Sequence, residues 1–340
     1  MEKPFISICI PAYNRPDKLH ALLSTIDAKN PREIEIVVSE DFSPKRSEIR
    51  DVVSRFRAKS KYKVVYRENA ENLREDKNLK ELVRVSSGEW IMLMGDDDEL
   101  VPGALDKLIP FIRKNKDIVY VLRRYEVIHE DGSVEDFRYY IGDRTFEPGE
   151  KTYEELFRKS VFMSGFTIKR ESILPYLIDE FDGRALIQIY WVAEVVQKNL
   201  SAYFDEPLAR QNEDTAYIAK EVLYSNKNKK IIPRPVNLSR SLDFLSGYAK
   251  IAEFMDKKYG FHSLPIIMSD LSKYSYPSLS IHRNKGVRVF LEYVRELNKL
   301  GFNASPYYYL YVVLLLLLGK RACDWGIVLI KRILSKTPQL

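Results

Sequence analysis

Five short apolar segments, centred on Ile8, Ile36, Val64, Met92 and Tyr120, stand 28 residues apart along the first third of the chain. Each is a run of apolar or β-branched residues ("FISICI", "IEIVV", "YKVVY", "WIMLM", "IVYVL"), the pattern of strands covered on both faces. Helical spacing fills the gaps: Leu19, Leu22, Leu23 and Ile26 fall on one face after Pro16, and Leu105, Leu108, Ile109 and Ile112 do so after Pro102. Strands and helices alternating at this interval predict an α/β fold with a Rossmann-like, mostly parallel sheet flanked by helices. Ligands of such sheets bind beyond the carboxyl ends of the strands.

The rhythm stops near Glu126, where "HEDGSVEDF" carries an Asp131-Gly132 turn signal and predicts an antiparallel excursion. Past Asn212 the pattern is mostly helical, with "KNKKIIPRP" read as a basic linker. The expected division is a catalytic domain over 1–212 and a helical region over 213–340.

Composition removes several classes. Apolar residues make up 45% and charged residues 30% of 340, a globular balance rather than a disordered or membrane-embedded one. Cys9 and Cys323 lie far apart, which disfavours a disulfide framework or a cysteine zinc site. His20, His129, His262 and His282 lack metal-ligand spacing. The N-terminus has no signal-peptide pattern, so a cytoplasmic location is expected. A net charge of +6 favours anionic partners.

The strand ends hold the chemistry. "WIMLMGDDDEL" ends a buried strand in Asp96, Asp97, Asp98 and Glu99, more acid than a helix N-terminus requires. Crowded carboxylates call for a cation, and hard oxygen ligands suit Mg²⁺ or Mn²⁺ bridging to phosphate. The first strand ends in Pro11, Ala12, Tyr13 and Asn14, an aromatic ring and an amide able to hold a nucleobase. The second ends in Glu40, Asp41 and Ser43, where a carboxylate can accept the imide N–H of uracil or thymine. The third leads to Asn72, Arg74, Lys77 and Asn78, whose cations can counter a diphosphate. Four successive strand ends thus supply groups for the base, ribose, diphosphate and metal of a nucleotide sugar. No glycine-rich dinucleotide fingerprint follows the first strand, against an oxidoreductase, and "PAYNRPDKL" lacks the glycine-rich phosphate loop that a sugar nucleotidyltransferase would need there.

In "SICIPAYNRPDKL", "EIVVSEDFSP", "ENLREDKNL" and "SSGEWIMLMGDDDELVPGAL" the chain resembles the family 2 glycosyltransferases of GT-A fold. The resemblance is strong over about residues 4–115 and loose to about 210. The spacing of Asn72 to Asn78, and Gly95 leading into three aspartates, is most similar to the abequosyltransferase-like branch of polysaccharide-assembly enzymes. This resemblance implies inverting transfer of a hexosyl or deoxyhexosyl group from a nucleotide diphosphate sugar to an acceptor hydroxyl, with a saccharide as acceptor, or a lipid-linked saccharide if the C-terminal basic helices touch a membrane. It places Pro11, Ala12, Tyr13 and Asn14 around base and ribose, Asp41 on the base, Lys77 near the diphosphate and Asp96 on the ribose. Asp97, with Asp98, becomes the metal site for Mn²⁺ or Mg²⁺. The chain departs from the commoner pattern at Gly95, Phe42 and Ser39-Glu40-Asp41.

The general base should come from residues 160–215, across the sugar from the aspartates. "FMSGFTIKRESI" resembles the stretch before it, with Gly165 allowing close approach. Asp182 is the residue expected to take the proton, with Glu213 and Asp214 as competitors. A non-catalytic glycan-binding scaffold on the same fold is the alternative. The apolar run Tyr307 to Leu318 is 12 residues, short of a bilayer span. Residues 307–336 read either as a helix lying in a membrane interface or as one packed on the core with a solvated basic face.

Overall fold

The computed structural model describes residues 3–129, 132–212, 221–224, 231–234 and 238–334. The chain divides into two compact units, Met1–Arg234 and Pro235–Leu340.

The first unit opens with β1 (Ile6–Ala12), α1 (Pro16–Thr25), β2 (Ile34–Glu40), α2 (Arg46–Lys59), β3 (Lys63–Glu68), α3 (Arg74–Val85) and β4 (Trp90–Leu93). These are the first four strands of the 28-residue rhythm. β5 (Glu99–Leu100), α4 (Ala104–Lys114), β6 (Tyr120–Ile128), β7 (Val134–Phe137), β8 (Arg144–Phe146) and α5 (Glu150–Phe157) follow. Then come β9 (Phe166–Lys169), α6 (Arg170–Ile173), α7 (Ile187–Val196), β10 (Ser201–Asn212) and a hairpin of β11 (Glu221–Tyr224) with β12 (Ile231–Arg234).

Ten strands form one sheet whose path runs β3-β2-β1-β4-β9-β6-β10-β5. β1, β2, β3 and β4 are mutually parallel, and the order reverses between β1 and β4, the switch point at which α/β sheets hold ligands. The fifth apolar segment, in β6, does not extend this run by pairing with β4. β9 lies between them, antiparallel to both, because the 160s region returns as a strand that periodicity had left unassigned. β6 and β7 make the expected antiparallel excursion, joined by a turn in which Gly132 adopts φ 80°. Asp131 of its turn signal lies outside the described residues. Ile231–Arg234, read from sequence as linker, pairs instead with Glu221–Tyr224.

β2 is buried at all seven positions, as are all ten residues of α7. The alternate side chains Ile6, Ile8 and Ile10 of β1 pack with Leu19, Leu22 and Leu23 of α1 in the main core. Two polar side chains close the amino-terminal edge. Ser7 Oγ donates to Glu35 Oε2 at 2.5 Å and accepts from Gly88 N at 2.8 Å, while Glu35 also takes Lys63 Nζ at 2.7 Å. Gly88 is required here, since a Cβ would stand 2.6 Å from Ser7 N.

The second unit is helical over its described residues: α8 (Leu238–Tyr259), α9 (Leu264–Lys273), α10 (Tyr276–Asn284), α11 (Val287–Lys299) and α12 (Pro306–Leu334). Asp256 caps α9 by accepting from Ser263 N at 2.9 Å and Leu264 N at 3.1 Å. The His282 ring stacks on Tyr293 with centroids 3.8 Å apart. α12 is kinked at Gly319, whose φ of 74° and ψ of 174° leave the helical region.

Candidate functional site

Register brings the four strand ends level. Ala12 pairs with Glu40 and Glu40 with Glu68, while Cys9 pairs with Leu93, so Ala12 and Asp96 each lie three residues beyond one paired step. The consequence is direct contact: Tyr13 N donates to Asp96 Oδ2 at 3.2 Å across the switch point. Asn14, next along, adopts φ 61° and leaves its Oδ1 buried with no partner among the described residues.

Arg15 supplies the cation that the acidic cluster demands. Its guanidinium closes on both Asp96 and Asp97. Asp96 is almost wholly buried, and burial pushes its carboxyl up to about 6 although Arg15 pulls the other way. Asp98 turns inward: its carboxylate accepts from Ser164 Oγ, which in turn accepts from Gly95 N at 2.9 Å. Burial, reinforced by the charge of Asp97, raises the Asp98 carboxyl well above the usual range. A Cβ at Gly95 would meet Asp97 Oδ1 and Asp98 Oδ2, each at 2.9 Å, so a larger residue there requires these carboxylates to shift.

Asp98 is therefore misplaced as a metal ligand, since Ser164 and the protein interior surround it. Among the described residues no group of three His, Cys, Asp or Glu side chains forms a metal cage. Asp97 is part-exposed, and its carboxylate is paired with the Arg15 guanidinium. Asn212, at the end of β10, holds its backbone by donating to Asp97 O at 2.8 Å.

At the end of β2, Asp41 and Glu40 divide the work. Glu40 accepts from Ser43 N at 2.5 Å, Phe42 N at 3.2 Å and Arg46 Nε at 2.5 Å, so its carboxylate builds the turn. Phe42 is held in that turn at φ 56°, a conformation glycine adopts without strain. Asp41 Oδ1 accepts from Asn69 Nδ2 at 3.0 Å and Leu73 N at 2.8 Å; burial nonetheless raises its carboxyl. Asn78 completes the cluster, accepting from Ser39 Oγ at 2.6 Å and Asn69 Nδ2 at 3.0 Å. Pro11 and Ala12 sit on β1 beside these groups. Lys77 does not join them: it stands exposed on α3 and makes no hydrogen bond to Tyr13, Asp41 or Asp96.

Asp182 occupies a different setting from the one expected of a base. Both its oxygens lie against the buried Lys80 Nζ, at 2.7 and 2.9 Å, and Lys80 also donates to Ile178 O at 2.9 Å and pairs with Asp179. Lys80 is six residues into α3, about 9 Å along the axis from the helix start at the sheet edge. One turn earlier, Asp76 accepts from the backbone N–H groups of Arg184 and Ala185, each at 2.9 Å, and of Leu186 and Ile187, each at 3.0 Å. Asp76 and Lys80 thus staple the loop ahead of α7 to α3. Spacing i, i+4 on one helix face was visible in the sequence, but the loop they grip was not. Glu213 and Asp214 lie outside the described residues. Gly165 does allow a close approach, with Phe162 Cδ1 only 3.0 Å from where its Cβ would be.

Residues 7–169 match the family model described as glycosyl transferase family 2. Abequosyltransferase RfbV of Salmonella typhimurium is 32% identical over 123 residues, 36% of either chain. An uncharacterized glycosyltransferase of Methanocaldococcus jannaschii, MJ1057, is 22% identical over 169 residues, 49% of this chain and 54% of its own. The matches thus span between about a third and about half the length of these curated relatives. Among solved structures, S. aureus TarS 1-349 in complex with UDP-GlcNAc superposes with a TM-score of 0.59 at 12% identity, covering 91% of each chain. The complex of the same fragment with UDP gives 0.58 at 11% identity, covering 91% of this chain and 90% of that one. A mixed sheet with its switch point between β1 and β4, an acidic loop at that point and a family match over the same strands agree: residues 7–169 match glycosyl transferase family 2, and the sheet that carries them has the GT-A fold.

Proposed function

We propose that the chain transfers a sugar from a nucleotide diphosphate to an acceptor hydroxyl, with inversion, in the assembly of a saccharide or glycolipid. The observation that carries this reading is the hydrogen bond from Tyr13 N to Asp96 Oδ2, which joins the two loops at the switch point. The similarity to an abequosyltransferase, and to a TarS fragment solved with UDP and UDP-GlcNAc, supports a nucleotide-sugar donor and a hexosyl or deoxyhexosyl group.

In this reading Pro11, Ala12, Tyr13 and Asn14 line the base and ribose, and the partnerless Asn14 Oδ1 is an acceptor for a ligand N–H or O–H. Asp41 meets the base while also fixing the loop at Leu73. Asp96 meets the ribose. Arg15 can leave the carboxylates for the diphosphate, to which its planar fork is suited.

The donor set at Asp97 fits a hard divalent ion of the kind that takes one or two carboxylates and completes its shell with phosphate oxygens and water. Mn²⁺ or Mg²⁺ held by Asp97 would neutralise charge on the leaving diphosphate. Asp98 acts from beneath, through Ser164, by holding the loop. Lys77 reaches the diphosphate in this reading only by a side-chain movement from its exposed position.

We read Asp182 as a positioning residue rather than the proton acceptor, because Lys80 lies against both of its oxygens. We assign Asp182 to the staple that holds the acceptor side of the domain. Incubating the protein with a panel of UDP-, GDP-, dTDP- and CDP-sugars and Mn²⁺, and measuring nucleotide release, tests the enzymatic reading. Release from one donor supports it; binding without release from any, with acceptor lipid and saccharide extracts present, favours the scaffold.

A further inference from the structure

The outer face of α12 lacks what a water-facing helix carries. From Pro306 to Gly319 there is not one charged residue. The inner side of this stretch is used, since Tyr308 and Leu315 are buried in the helical unit. The outer side is equally apolar but exposed: Leu310, Val313, Leu314, Leu317 and Leu318 recur at helical spacing, with Leu317 77% and Leu318 59% exposed. A surface helix normally alternates an apolar stripe with a polar one, so an exposed stripe this continuous marks an interaction surface. Beyond the kink at Gly319, Arg321 is exposed and Trp325 is 69% exposed.

Charge selects the partner. Residues 235–340 contain 15 Lys and Arg against 7 Asp and Glu, a net of +8, whereas residues 1–234 contain 39 against 41, a net of −2. The positive charge of the chain therefore belongs to the unit that bears the apolar stripe. Self-association through the stripe would bring two +8 units together, which is repulsive. An anionic lipid surface offers the opposite sign and an apolar interior beneath it. Among the described residues no helix is long and apolar enough to cross a membrane, so the stripe would lie in the interface. Trp325, and Tyr307 and Tyr309 at the other end, have the amphipathic rings suited to headgroup depth.

We propose that the exposed face of α12 docks on the surface of an anionic lipid bilayer, with Leu310, Leu317 and Leu318 entering the acyl boundary and the basic side chains of the unit facing the headgroups. The arrangement is that of an in-plane amphipathic helix, with the hydrophobic contact and the electrostatic attraction acting together. It is independent of whether the first unit transfers sugar.

The test is flotation of the full chain with phosphatidylcholine vesicles, with and without phosphatidylglycerol, comparing the native protein with the double variant Leu317→Gln/Leu318→Gln. Both sites are exposed, so circular dichroism should show an unchanged fold. The native chain should float with phosphatidylglycerol-containing vesicles, float much less with neutral ones, and be released by high salt. The variant should lose at least about tenfold in partitioning. Equal flotation of native and variant chains, or none by either, overturns the proposal. So does a native dimer, seen by light scattering, that the variant converts to a monomer without any vesicle binding. Because the readout uses no donor sugar, its failure leaves the sugar-transfer reading standing, and the converse holds.

Discussion

Lys80 Nζ lies 2.7 Å from Asp182 Oδ1, joining the second turn of α3 to the loop that precedes α7. The ammonium is almost completely buried, so the pair is a fixed part of the fold rather than a surface contact. Removing one partner of such a pair strands the other charge and costs about 3–5 kcal/mol, whereas removing both together costs much less. Lys80→Met should therefore destabilise the protein by that order in urea unfolding, and Asp182→Leu added to it should restore most of the loss. The double variant should also retain sugar transfer. A folded, stable double variant that binds nucleotide but transfers nothing would return Asp182 to the role of base.

Ser164 holds two groups of the acidic loop at once, Gly95 N and the Asp98 carboxylate. Ser164→Ala leaves both buried and unsatisfied, a loss of about 1–3 kcal/mol for each group so exposed. We expect lower stability in urea together with weakened nucleotide binding, because the loop carrying Asp96 and Asp97 is no longer pinned. Ser164→Cys, with a weak donor of similar size, should recover part of both.

Much of this site was legible in the residues before any coordinates. The strand ends at Tyr13, Asp41 and Asp96 converge because identical βα spacing returns each strand to the same edge, and that spacing is a one-dimensional property. What the sequence could not supply is which way each side chain turns once there. Asp97 and Asp98 are adjacent and chemically identical, yet one faces the crevice and the other Ser164, a residue 66 positions away. Arg15 as the cluster's counter-cation is a contact across 82 positions, and it was hidden for the same reason. The setting of Asp182 was hidden on similar grounds: a loop acid shows no partner until a buried lysine from another helix is brought to it. β9 was missed because four residues between a single 3-10 turn and α6 carry almost no periodic signal.

Stronger acid, below the range that protonates Asp96, should act on the opposite edge of the sheet. Burial pushes the Glu35 carboxyl upward, but Lys63 and the hydrogen bonds from Ser7 and Ser87 outweigh it and hold it below its ordinary value. A carboxyl lowered by folding adds stability above its unfolded pKa of about 4.3, and that contribution disappears as pH falls through the folded value. The native protein should thus exceed Glu35→Gln in stability near pH 7, and the gap should close below about pH 4. Denaturant midpoints of the two proteins across that range measure it, and a gap constant with pH would show that the carboxylate charge contributes nothing.

The central claim is that the β1/β4 switch point grips a nucleotide diphosphate, with Asp97 presenting a divalent ion to it. It is tested most directly by the melting temperature of the native protein and of Asp97→Asn with UDP, GDP, dTDP and CDP, each with and without Mn²⁺, since a ligand bound to the folded state raises its apparent stability. The account predicts that one nucleotide raises the melting temperature of the native protein, that Mn²⁺ enlarges the shift, and that Asp97→Asn abolishes the metal-dependent part. A native protein indifferent to all four nucleotides, or a variant responding as the native chain does, would contradict it.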